Sequence, residues 1–246
     1  MHFNGRVPAA LADQPAKRIT ARLVGAGSWD EVTIMNGLTV NLHLLMLAFY
    51  RPSGARTRIL VEDHAFPSDR YAVRSLLRLK GVSEEAMVVA RPRPGEDTLR
   101  TEDLVATIRE LGDTLAMVML GGVHYYTGAG AANEVPLSHL HNTGQLMDMA
   151  AVTAAGHAAG AVVGWDLAHA VGNVELALSS WGADWAVWCS YKYLNSGAGG
   201  IAGAFVHKRH HASLPPHLEG WWSNAQVICP HPWLCSQQSL AAGDPV

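Results

Sequence analysis

The chain is predicted to fold as an α/β domain, three-layered, on a mainly parallel sheet. Three observations carry that expectation. Short apolar runs alternate with helix-length segments along most of the sequence. The runs are continuously apolar rather than alternating, as strands covered on both faces should be. Hydrophobic residues make up 49% and charged residues 16% of 246, enough to build a substantial core.

Taken in order, Thr39–Tyr50 is apolar nearly all round and stops before Pro52, which predicts a buried helix. Arg58–Val61 is the first strand. Ser68–Lys80 is a helix with Gly81 as its C-terminal cap. After the strand Met87–Ala90, the helix Glu102–Leu111 follows Thr101, carries acids in its first turn and ends at Gly112. Leu115–Leu120 is the third strand. Gln145–Ala159, rich in alanine and methionine, is a helix leading into the strand Ala161–Trp165. Trp185–Trp188 and Ile201–Val206 complete the set, close enough in sequence for an antiparallel pairing.

Two segments break the pattern. Residues 129–144 are polar and small, too long for an ordinary connection, and read as an insertion. From Ser223 no period survives, and Pro230, Pro232 and Pro245 predict an irregular tail. The expected organisation is therefore one large domain over residues 1–222 and a tail over 223–246.

Composition excludes several classes. A net charge of −3 offers no footprint for nucleic acid or an anionic membrane. The longest apolar segment, Leu42–Tyr50, is too short to span a bilayer, and the N-terminus lacks a signal-peptide pattern. Cys189, Cys229 and Cys235 form no disulfide framework, which favours a reducing, cytoplasmic compartment. Cys229, His231 and Cys235 lack paired metal-ligand spacing, so no metal is expected. The glycine runs match neither nucleotide-binding pattern.

The chemistry centres on Lys192, set among Trp188, Tyr191 and Tyr193 and followed by Gly197, Gly199 and Gly200. Apolar neighbours disfavour an ammonium, as a Schiff-base lysine requires, and glycines let backbone approach a flat group. The alternative is an exposed lysine in a turn. Asp166 ends the apolar run Ala161–Trp165; it either caps a turn or pairs with a ring nitrogen. An amine and a carboxylate on two strand ends suit pyridoxal 5′-phosphate, which needs a lysine for its carbonyl carbon and an acid for its pyridinium. His169 contacts the same ring or caps its own turn. Leu38 and Thr39 open a helix whose free N–H groups and Thr39 hydroxyl can face an anion; a plain threonine cap is the alternative. Phe66-Pro67-Ser68-Asp69 opens the next helix, with Phe66 either stacking on a cofactor or packing in the core, and Ser68 available as a cap.

Five blocks in order resemble the kynureninase family: Leu38-Thr39-Val40-Asn41-Leu42-His43-Leu44-Leu45, Phe66-Pro67-Ser68-Asp69, Gly122-Val123-His124-Tyr125-Tyr126-Thr127-Gly128, Asp166-Leu167-Ala168-His169-Ala170-Val171-Gly172-Asn173 and Ser190-Tyr191-Lys192-Tyr193-Leu194-Asn195. The resemblance runs from about His2 to Trp222. It implies a fold-type I pyridoxal-phosphate enzyme, a homodimer, cleaving L-kynurenine or 3-hydroxy-L-kynurenine to anthranilate or its 3-hydroxy form and L-alanine. It further implies that Lys192 carries the cofactor and later moves the Cα proton, and that Asp166 partners the pyridinium with His169 nearby. Leu38, Thr39 and Tyr191 would lie on the phosphate side, Phe66 on the ring with Pro67, Ser68 and Asp69 beside it, and Trp221 at the substrate edge.

The sequence departs from the family pattern in four places. The N-terminal arm and, after Trp222, the smaller C-terminal domain are expected to be missing, and with them a histidine, an arginine and an asparagine at the substrate. Gly121 stands where human-type members have serine. Residues 129–144 separate Thr127-Gly128 from the helix that normally follows. These departures predict a truncated or alternatively spliced form with low or no activity alone, or a partner that suppresses an active subunit. A cysteine desulfurase is a further fold-type I alternative, but no loop cysteine is placed for it.

Overall fold

The computed structural model describes residues 12–125 and 144–214. Its frame is a seven-stranded sheet in the order β1-β7-β6-β5-β4-β2-β3. The strands are β1 (Val32–Ile34), β2 (Arg58–Glu62), β3 (Met87–Ala90), β4 (Leu115–Gly121), β5 (Val162–Asp166), β6 (Trp185–Trp188) and β7 (Gly203–Val206). The run β3, β2, β4, β5, β6 is parallel, while β7 lies antiparallel to both β6 and β1. The expected antiparallel neighbour is thus present, with Trp188 opposite Gly203. Crossover connections between parallel strands carry α2 (Leu38–Phe49), α3 (Pro67–Leu79), α4 (Thr101–Leu111) and α5 (Met149–Ala158), flanked by α1 (Gln14–Leu23) and α6 (Leu178–Trp181). Helix α2 packs on α3, and α4 on α5. None of the described helices is long and apolar enough to cross a membrane.

Strand β6 is buried end to end, and β4 up to its last residue, as parallel strands covered on both faces should be. Trp165, Trp185, Trp188 and Phe205 are among the largest fully enclosed side chains. Their bulk is accommodated by missing ones. A Cβ at Gly164 would lie 2.0 Å from the Trp185 ring, and one at Gly203 2.4 Å from Trp188. Gly164→Ala should therefore cost about 1–3 kcal/mol. A urea midpoint unchanged from wild type would mean that the Trp185 ring has room that this packing denies it.

Several boundaries shift for local reasons. Helix α2 starts at Leu38, capped by Gly37 without a side-chain bond, so Thr39 lies inside the first turn and is not the cap. The helix is buried on one face only: Leu42, Leu45, Met46 and Phe49 pack inward, while Val40 and His43 are exposed. Arg100, not Thr101, occupies the cap position of α4. Helix α5 begins at Met149 because Asp148 caps it, accepting from Ala151 N–H at 2.9 Å. The preceding Gln145–Met147 is extended instead, with Leu146 bridged to Val123 and His124 N–H donating to Gln145 O at 2.9 Å. The flanks of the expected insertion thus pair with each other. The insertion itself, apart from Gly144, and the tail lie outside the described residues. Helix α1, the three-residue β1 and the four-residue α6 escaped the sequence reading, the last two being too short to show a period.

Asp184, just before β6, locks the far end of the sheet. Its carboxylate, 5% exposed, accepts from Val163 N–H at 2.7 Å and Arg209 and pairs with His157 Nε2 at 2.9 Å and His210 Nε2 at 2.7 Å. Burial alone would raise its pKa, but these hydrogen bonds outweigh burial and hold it well below the usual carboxylate range. A depressed carboxylate contributes stability fully above its unfolded value near 3.8, and that stability is lost as pH falls toward the folded value. Asp184→Asn should cost about 2–3 kcal/mol at pH 7 and flatten the acid limb of stability below about pH 4. Denaturant titrations at pH 7 and pH 3 check both; parallel pH profiles for the two proteins would contradict it.

Candidate active site

The carboxyl ends of the parallel strands open onto one cavity of about 340 Å³. Register places its parts side by side. Gly121, ending β4, lies opposite Asp166, ending β5, and Asp166 lies opposite Val187 of β6. Glu62 ends β2, the other neighbour of β4. The loop after β6 delivers Tyr191 and Lys192, and the turns after β2 and β5 deliver Phe66 and His169. Lys192 and Asp166, from separate elements, therefore face one space.

Lys192 Nζ lies 3.1 Å from His169 Nε2 and 5.7 Å from the Phe66 ring centroid. Lys192 does open a turn, its carbonyl accepting from Asn195 N–H at 3.2 Å, but its side chain is half-buried and lines the cavity rather than standing free in solvent. Trp188 faces the core rather than the lysine, and the described wall around it is aromatic: Phe66 edge-on to Tyr125 at 5.2 Å, Tyr125 to His169 at 6.3 Å, and His169 to Tyr193 at 6.1 Å. Burial lowers the His169 pKa, and the Lys192 and His124 charges lower it further, so the imidazole is neutral at pH 7. Phe66, 45% exposed, lines the cavity and is not a core residue. Gly197 and Gly199 serve the loop's turns, both at φ +80°, and neither lines the cavity.

Three acids, Glu62, Asp69 and Asp166, are all buried in this wall. Asp166 Oδ1 accepts from Ala168 N–H at 2.7 Å, so it caps the turn, and the residue also lines the cavity. Asp69 and Asp166 share a hydrogen bond, which requires a proton on one of them. Burial, reinforced by the Asp166 and Glu62 charges, pushes Asp69 up to about 10. Burial also raises Asp166, against the Asp69 hydrogen bond, the Ala168 N–H and the Lys192 charge. With the Ala168 N–H and the Lys192 charge on its side, Asp166 is the more acidic member of the pair and Asp69 the more basic. Asp69 Oδ1 has no hydrogen-bond partner although the residue is 3% exposed.

At another part of the wall, two helix N-termini meet. Thr39 Oγ1, in the first turn of α2, lies 3.1 Å from Ser68 Oγ, in the first turn of α3. Pro67 starts α3 after Phe66, so Ser68 is not its cap. Unpaired N–H groups and N-terminal helix charge from both helices favour an anion there. Leu38 lines the same space. The Tyr191 hydroxyl, half-exposed, is pushed up by burial and by Cys189 and Asp166. Trp221 lies outside the described residues. The sequence reading missed Glu62, Val123 and Tyr125 as cavity residues; Glu62 carries the signal that exposed Asp166, an acid closing an apolar strand.

The donor set fits one kind of guest. Acids outnumber the single lysine in the wall, and one buried carboxyl oxygen is unpaired, so a cationic ring nitrogen is accommodated and an anionic one is not. A carbonyl carbon answers the amine, aromatic faces answer a flat ring, and the paired helix N-termini answer a phosphate.

No family model matches the chain. Curated proteins do. The chain is 59% identical over 206 residues to the kynureninase of Salinispora tropica, covering 83% of this chain and 44% of that one. It is 48% identical over 224 residues to human kynureninase, covering 91% and 44%. The chain thus spans under half the length of these relatives. Among solved structures, an apo cysteine desulfurase from Thermococcus onnurineus superposes with a TM-score of 0.64 at 17% identity, over 86% of this chain and 47% of that one. A C-DES variant with glycine covalently linked to its PLP cofactor gives 0.62 at 16% identity, over 86% and 51%. At such identities the likeness is one of fold: the sheet and helices are those of the large domain of fold-type I enzymes.

Proposed function

We propose, from the premise that this chain is kynureninase-like in sequence over most of its length, that it binds pyridoxal 5′-phosphate at Lys192 and serves the hydrolytic cleavage of the Cβ–Cγ bond of L-kynurenine or 3-hydroxy-L-kynurenine. The products are anthranilate or 3-hydroxyanthranilate and L-alanine. One observation carries the reading: the Lys192 amine and the Asp166 carboxylate face a single aromatic-walled cavity in which acids outnumber cations. Sequence likeness to the curated kynureninases favours this over a desulfurase, whose likeness is in fold alone.

When bound, the cofactor supplies an electron sink for a carbanion at the substrate Cα. The chain's residues do the rest. Lys192 Nζ would hold the cofactor at its carbonyl carbon and, as the free amine, would take the Cα proton. His169, neutral and 3.1 Å away, accepts a hydrogen bond from that amine and keeps it directed into the cavity. Asp166 would keep the ring nitrogen protonated as its charge partner, in a water-poor setting where such pairing is strongest. Phe66 would lie against the ring, Pro67 sets the start of α3, and Ser68 with Thr39 of α2 would hold the phosphate. Leu38 and Tyr191 would complete that side; the family resemblance assigns Trp221 to the substrate edge.

The working unit is a cytoplasmic homodimer, with residues 1–222 as the cofactor domain and 223–246 as an appended tail. Two measurements on the purified chain test the function. Borohydride reduction after cofactor addition should place the label on Lys192. Anthranilate release from L-kynurenine tests turnover; labelling without release would restrict this stretch of sequence to holding the cofactor. Label on any other lysine overturns the site.

A further inference from the structure

Glu62 stands out because the chemistry above does not use it. It ends β2 with its carboxyl group buried at 4% exposure and clasps one backbone donor with both oxygens: Gly121 N–H lies 3.0 Å from Oε1 and 3.1 Å from Oε2. A Cβ at residue 121 would stand 3.0 Å from Oε1, so glycine leaves the room for this clasp. Glu62 lines the same cavity wall as Asp69 and Asp166, and its charge bears on Asp69.

We propose that Glu62 is a positioning residue for Asp166: fastened to Gly121 N–H, its negative charge keeps the shared proton on Asp69, so that Asp166 remains the carboxylate presented to the cavity.

The environment is asymmetric in the required sense. Asp166 has the Ala168 N–H at 2.7 Å and the Lys192 charge on its side, both favouring ionisation. Asp69, on α3, has Asp166 on one flank and Glu62 on another, with one oxygen unpaired. The Glu62 charge therefore bears on Asp69, and among the described residues the Gly121 and Glu62 N–H groups alone relieve it. Burial and the Asp166 charge raise Glu62 to about 7, so its grip on the proton is strongest above neutrality. The ionisable groups that face the trio are Lys192 and Tyr191, after β6, and, through the lysine, His169, after β5. A role toward the ring nitrogen rests on the cofactor reading, whereas the proton's location does not.

The test separates the two. In the cofactor-free chain carrying carboxyl-13C aspartate, infrared titration follows the protonated Asp carbonyl band, and loss of the band in Asp69→Asn identifies it. Glu62→Gln keeps the Gly121 contact and removes the charge. Its Asp69 band should titrate at lower pH, with a proton affinity reduced about tenfold. Gly121→Ala, which crowds Glu62 without neutralising it, should move the band in the same direction by less and stands in if the Gln variant does not fold. A band unmoved in a folded variant overturns the proposal, as does a band that survives Asp69→Asn and vanishes in Asp166→Asn. Borohydride labelling of the same proteins reports separately on the cofactor: failure to label wild-type Lys192 defeats the cofactor reading and leaves the infrared result standing.

Discussion

Lys192→Ala is expected to abolish covalent capture of pyridoxal 5′-phosphate. Lys192 is the lysine of the cavity; Lys17 is engaged by Asp13 and the Trp29 ring, and Lys208 follows β7, its backbone N–H donating to Glu31 Oε1. No other amine among the described residues reaches the wall formed by Asp166 and Phe66. Borohydride-fixed label, read by peptide mass spectrometry, should fall to the background of Lys17, Lys80 and Lys208. Any turnover of L-kynurenine should be lost with it, because the group that takes the Cα proton is gone. The fold should survive, since Lys192 makes one hydrogen bond, to His169, and lies in a loop. A variant that captures the cofactor as wild type does would remove Lys192 from the site.

Asp166→Asn carries the second large effect. Asparagine preserves the shape and can still accept from Ala168 N–H, so the turn after β5 should persist. The charge is what disappears. Breaking a buried ion pair by removing one partner costs about 3–5 kcal/mol, on the order of 100-fold or more in cofactor affinity. Absorbance titration with pyridoxal 5′-phosphate measures it. Asp166→Glu restores the charge on a longer arm and should recover part of the loss. Equal affinity in wild type and the Asn variant would mean that the carboxylate only caps its turn.

The sequence reading and the structure agree where the physics is local. Continuous apolar runs such as Trp185–Trp188 read as buried strands because a strand enclosed on both faces has no polar alternation to lose. The acid after Trp165 stood out because an unpaired carboxylate at the end of such a run is costly. Disagreement arises where neighbours distant in sequence decide. Thr39 looked like a cap, but Gly37 caps the helix and Thr39 meets Ser68 from another helix. The glycines after Lys192 suggested room for a cofactor, yet Gly197 and Gly199 answer only their own backbone angles. Glu62 closes an apolar strand as Asp166 does, but its partner, the Gly121 N–H 59 positions away, leaves no local trace in the sequence.

By itself the sequence determined the alternation of strand and helix, the α/β class, and the pair Lys192 and Asp166 as candidates for one cofactor. Those conclusions rest on apolar periodicity and on the chemistry of single side chains, which are properties of short stretches. Only the tertiary structure decided which acids share a proton, which histidine faces the lysine and which helix ends meet. Burial and electrostatic coupling between groups depend on through-space distance, and the parallel sheet brings Glu62, Gly121 and Asp166 to neighbouring strand ends that the chain keeps far apart.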